Sequence, residues 1–155
     1  MTGDVSGRTG AHRRAAGAGR MVIRVRNVTR GTVLAREALV AETLRSRLVG
    51  LIGRAELSTG AGLVLPHTPW VHTALMSFPI DVVFYSHGGY VQLVVEGLAP
   101  WRVSPICWRA YAALELPAST VHTSGTRDGD LLRIEPVPRA VPAGGAGEER
   151  TSLQI

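Results

Sequence analysis

Short runs rich in apolar residues, separated by turn residues, recur along the chain and predict strands. Val22-Ile-Arg-Val-Arg-Asn-Val-Thr29 alternates as a strand, Arg30-Gly31 makes a turn, and Val33 to Val40 reads as the returning strand. The period then changes. Leu44, Leu48, Leu51 and Ile52 form one stripe of an amphipathic helix beginning near Thr43 and stopping at Gly53. Gly50 inside that helix implies backbone packed closely on a sheet. Strand-like runs return in Leu63-Val-Leu65, over 70–76, and in a hairpin of 80–85 and 90–95 around Ser86-His-Gly-Gly89. They recur in Tyr111 to Leu116 and in Leu131 to Ile134, which follows the turn Asp128-Gly-Asp130. Many short strands with one helix predict a compact, β-rich α+β barrel of mostly antiparallel strands.

The runs 70–76 and 80–85 are joined by Ser77-Phe78-Pro79, and the proline marks a corner because it cannot donate to a ladder. Alternation would set Trp70, His72, Ala74 and Met76 on one face of the first run. In the second run Asp81, Val83 and Tyr85 share one face, and Ile80, Val82 and Phe84 the other. A carboxylate among apolar neighbours must find donors, because an unpaired buried charge is expensive. His72 is the nearest polar candidate. Glu115, between Leu114 and Leu116, poses the same problem, and Arg102 is its expected partner.

The ends carry no such period. Residues 1–20 and 137–155 are rich in Gly, Ala, Pro and charge and are expected to be disordered, leaving one domain over 21–136. Met21 stands just before the first pattern and is a candidate start. At 155 residues the chain is long enough for a real core. Its net charge of +5 points toward nucleic acid until it is divided. Residues 1–20 hold four arginines against one acid, whereas 21–135 hold eleven against nine. Every basic residue is Arg, spread along the whole chain, so nucleic acid is disfavoured as a partner. One cysteine forms no internal disulfide, and no apolar run is long enough to span a membrane. A cytoplasmic protein without a membrane partner is expected.

His67, His72, His87 and His122 have no metal-site spacing, and Cys107 has no second sulfur nearby. Neither a metal nor a cofactor is expected, and Cys107 reads as a buried small hydrophobe. His72 with Asp81 could serve as an acid–base pair, although mutual satisfaction inside a core is the commoner reason for such a pair. Tryptophan is over-represented: eight residues are aromatic and three of them, Trp70, Trp101 and Trp108, are Trp beside prolines or loops.

Several spaced motifs resemble the domain-of-unknown-function 192 family. They are Gly50-Leu-Ile-Gly-Arg54, Val71-His-Thr73 with Met76, Phe78-Pro-Ile-Asp-Val-Val-Phe84, Pro100-Trp-Arg102, Leu114-Glu-Leu-Pro-Ala118 and Gly129-Asp130. The resemblance covers most of 22–135 and implies a small β-barrel-like domain with one packed helix and no known reaction. Ser119 stands where many relatives have Gly, which leaves open whether the backbone there is left-handed. The His-Thr form of the central run also differs from the Trp-Met-Lys-Asn form of other members. A chemistry resting on His72 alone would not extend to them.

The expected function is non-catalytic binding of a small anionic or polar ligand, or of a protein partner. The expected cleft includes Trp70, His72 and Arg102, with Met76, Asp81 and Glu115 as further candidates. A hydrolase-type enzyme using His72 and Asp81 is the first alternative, and a nucleic-acid-associated module the second.

Overall fold

The computed structural model describes residues 21–41 and 57–138. The helix expected over 43–53 and both expected tails, apart from Val137 and Pro138, lie outside the described residues. Among the described residues seven strands form one sheet: β1 (Val22–Asn27), β2 (Thr32–Val40), β3 (Ala61–Pro66), β4 (Ile80–Tyr85), β5 (Val91–Leu98), β6 (Ala112–Pro117) and β7 (Leu132–Pro136). One short helix, α1 (Thr120–Ser124), lies between β6 and β7. Strand order across the sheet is β5-β4-β6-β3-β2-β1-β7. Every pairing is antiparallel except that of β2 with β3.

The sheet curls into a half-barrel, and its two edge strands meet at one end. Tyr90 and Leu131 bridge there, and the Leu132 N–H donates to Gly89 O. Gly89 is required at this seam. Its φ is +85°, and a Cβ would sit 2.5 Å from Leu132 O. At the other end of the same edge the Val137 N–H donates to Val22 O, so the described chain enters and leaves side by side.

Alternation along the strands divides the apolar residues into two clusters. Val83 and Tyr85 of β4 join Ala112, Leu114 and Leu116 of β6 in the first, with Val25 and Val121. Ile80, Val82 and Phe84 join Ala113, Leu63 and Leu65 in the second, with Val71, Met76, Phe78 and Cys107. Burial of Tyr85, with Tyr111 close by, pushes its phenol pKa up to about 12. The β-rich α+β barrel-like fold read from the sequence is the fold observed.

The predicted strand over 70–76 is not formed. Only His72 pairs, in an isolated bridge with Val103. The chain then reverses at Leu75, whose φ is +66°, so period two ends after Thr73. Ser119 keeps a left-handed backbone, φ +70°, although it is not glycine. Five residues without a longer apolar period make α1, which gave no helical signal in sequence.

Candidate binding face

Two loops carry the residues that the sequence singled out: 67–79, before β4, and 99–111, between β5 and β6. Each contains a tight turn. In the first, the Met76 N–H donates to Thr73 O, and Leu75 occupies the third position with left-handed φ. In the second, Ala99-Pro100-Trp101-Arg102, Pro100 presets the second position and Trp101 takes the third, with φ +59°. Glycine is usual at both third positions, because an L side chain there strains the backbone. Here a leucine and a tryptophan hold them, and both side chains are exposed.

Thr73, fully buried, joins the two turns. Its hydroxyl donates to Ala99 O at 2.6 Å and accepts from the Arg102 N–H at 2.9 Å. One hydroxyl thus closes the second turn from the other loop. Its backbone adds three bonds: the Thr73 N–H donates to Arg102 O, while Thr73 O accepts from Trp101 and Met76 N–H. Ser104 repeats the device a few residues on. Its hydroxyl accepts from the Val71 N–H at 3.0 Å, and its own N–H donates to Val71 O. The Cys107 N–H donates to Pro69 O and extends the pairing. No local sequence signal marks Thr73 as the hub, because its partners Ala99 and Arg102 lie 26 and 29 residues away.

On this stapled backbone six large apolar side chains face water: Trp70, Leu75, Trp101, Val103, Ile106 and Trp108, between 43% and 81% exposed. All three tryptophans of the chain are among them. The Trp70 and His72 rings lie 6.2 Å apart, tilted at 44°. His72 is exposed, and its Nδ1 accepts from the Ala74 N–H at 3.3 Å. Arg102 and Arg109 are exposed on the second loop, and neither loop contains an acidic residue.

Trp70 and His72 lie beside each other on the first loop, and Arg102 is exposed on the second, which Thr73 joins to the first. The other three candidates lie elsewhere. Met76 turns into the second apolar cluster, because the reversal at Leu75 rotates it away from Trp70 and His72. Asp81 is 1% exposed and does not bond His72. Its two oxygens accept from the Gly97 N–H at 2.8 Å and the Val121 N–H at 2.9 Å, tying β4 to β5 and to α1. The expected His72–Asp81 pair is absent because those backbone donors occupy the carboxylate. Glu115 pairs in register with Leu63 and Val82 in the middle of the sheet. It belongs to the face of the second cluster, opposite that of Asp81. Arg102 sits on the exposed loop, so the expected Arg102–Glu115 fork does not form either.

Other candidate chemistry resolves into structure. No group of three His, Cys, Asp or Glu gathers to hold a metal among the described residues. His67 and His87 each pack edge-on against Tyr111, at 5.0 and 4.8 Å. Asp130 accepts from Asn27 Nδ2, Arg30 Nε and the Arg127 N–H. Burial alone would raise its pKa, but these hydrogen bonds and the Arg30 charge hold it below the ordinary carboxylate value. A depression of about 550 Å³ between β2, Gly60 and α1 is lined by none of the expected site residues. Two of its hydroxyls, Thr120 and Thr123, donate to the local carbonyls of Pro117 and Ser119.

The profile of DUF192, a family described as an uncharacterized ACR, matches residues 25–134. No curated protein matches the chain. Two crystal structures share the fold. One is a protein of unknown function from Novosphingobium aromaticivorans, with 22% identity, a TM-score of 0.63, and 83% of this chain and 99% of that one covered. The other, from Sinorhizobium meliloti, carries a provisional description as a transcription regulator. It has 21% identity and a TM-score of 0.61, with 77% of this chain and 96% of that one covered.

Proposed function

We propose that this chain, which belongs to the DUF192 family, is a non-catalytic binding domain whose binding element is the paired-loop face. The observation that carries the reading is the six exposed apolar side chains interleaved with Arg102 and Arg109 on acid-free loops. Large apolar side chains left in water on two loops that are hydrogen-bonded to each other suit an interaction site. The ligand it suits presents negative charge beside apolar surface: the arginines supply permanent charge, and the indoles supply area at low conformational cost.

Binding is favoured over hydrolysis because the acid–base pair has no support. The imidazole of His72 and the carboxylate of Asp81 serve different neighbours. The hydrogen bonds through Thr73 favour a preorganised face, and preorganisation is where binding elements gain most.

The test is an NMR titration of the full chain with hexyl phosphate, below its micelle concentration, and with inorganic phosphate. The three indole Nε1–H signals all report on this face. Hexyl phosphate is expected to shift them and to lose effect in Arg102→Ala, while inorganic phosphate acts weakly. Shifts that avoid the indoles, or that persist unchanged in Arg102→Ala, would overturn the reading.

A further inference from the structure

We infer that the partner of the paired-loop face is an anionic lipid surface, an inference that rests on the binding role proposed above. The first argument is shape. Trp108, 81% exposed, and Trp101, 63% exposed, stand out from the protein with most of their surface in water. Side chains that dominate protein–protein contacts sit in closely packed pockets of complementary form. A bilayer interface receives protruding side chains without any mould, and tryptophan is the residue most at home there, with its ring among apolar chains and its N–H in the headgroup layer.

The second argument is charge. Arg102 follows Trp101 and Arg109 follows Trp108, so each of these two indoles has a guanidinium one residue away. The loops bear no carboxylate to repel lipid phosphates, and the nearest acid before the second loop is Glu96, at the end of β5. This arrangement selects negatively charged headgroups over neutral ones.

The third argument is the backbone. Leu75 and Trp101 both occupy left-handed positions at the tips of turns that Thr73 locks together. Strain of this kind persists where the surroundings enforce it, and here it sets an apolar side chain outward from each turn. Docking on a surface needs no spanning segment. It agrees with the finding that no helix among the described residues is long and apolar enough to cross a membrane. The expectation of no membrane partner rested on that absence alone.

The experiment uses the full chain with vesicles of phosphatidylcholine, with and without 30% phosphatidylglycerol (about one lipid in three, to give an anionic surface). Co-sedimentation measures partition. Tryptophan emission, with quenching by brominated acyl chains, measures whether the face enters the interface. Partition onto the anionic vesicles is expected, with a blue shift, quenching, and weakening as salt rises. Arg102→Gln and Arg109→Gln should each weaken partition roughly fivefold. The pair Trp101→Asn with Trp108→Ser should weaken it more than tenfold, circular dichroism confirming that the variant is folded.

Three results overturn the proposal. One is no partition onto anionic vesicles. Another is partition that the face variants leave unchanged, which would assign it to other residues such as the arginines of 1–20. The third is a concentration-dependent dimer that shifts the emission without lipid, which would give the face to a second copy. Indole shifts with hexyl phosphate, together with no vesicle binding, would sink the lipid surface and leave the binding role standing.

Discussion

The interior around Asp81 and the loop face around Trp108 invert the usual arrangement of a small protein. Inside, a carboxylate 1% exposed has both oxygens occupied by backbone N–H groups from two other elements. Outside, indoles and aliphatic side chains meet water on a backbone strained at two turns. Satisfied polar groups in the core fix which strands and turns lie together. Apolar groups left in water at the surface contribute less to folding than core residues do, because much of their area stays exposed in the folded chain. Stability and binding are thus assigned to separable sets of residues, and substitutions can test the separation.

The largest effect is expected at Asp81. Asp81→Ala leaves the buried Val121 N–H without an acceptor and breaks the part-buried bond from the Gly97 N–H, and should cost about 2–4 kcal/mol in urea unfolding. A near-neutral result would break the comparison from the inside. Thr73→Val comes next. It keeps the shape but strips Ala99 O and the Arg102 N–H of their partner, for about 1–3 kcal/mol. Amide exchange at Trp101 and Arg102 should quicken with it, and hexyl phosphate should shift the indoles less.

Asp130 sharpens the comparison through pH. Its folded pKa lies below the unfolded value of about 3.9. Its contribution is therefore complete above that value and disappears as pH falls through the lower folded pKa. Unfolding midpoints measured from pH 6 downward should drop less steeply below about pH 4 in Asp130→Asn than in the parent chain. The smallest effect belongs to the face. Trp101→Asn places a residue tolerant of left-handed φ at a strained position and should leave stability unchanged or raise it by about 1 kcal/mol. A loss above about 1 kcal/mol would mean that Trp101 packs as a core residue does.

Particular residues show how far the sequence reached. Short apolar runs between turn residues located all seven described strands approximately, because each buries at least one face against a cluster. The same signal misled at 70–76, where Trp70, His72, Ala74 and Met76 alternate. A left-handed φ at Leu75 is a tertiary outcome that no local pattern announces. Asp81 was legible as a carboxylate in need of donors. Which donors was not, since Gly97 and Val121 reach it from 16 and 40 residues away and act through backbone that any residue carries. The tryptophans were legible as outliers in number and setting. Their exposure was not, since it depends on how Thr73 and Ser104 join two distant loops.

The pairing of β1 with β7 has a mechanical consequence. Ile23 lies opposite Pro136 and Asn27 opposite Leu132, and the Val22–Val137 bond stands at the open end of the ladder. Tension applied between the two ends of the domain would load these bonds one after another, as in a zipper, instead of shearing them all at once. A load drawn along β1 against β7 would instead strain several of these bonds together, and this ladder would resist it better.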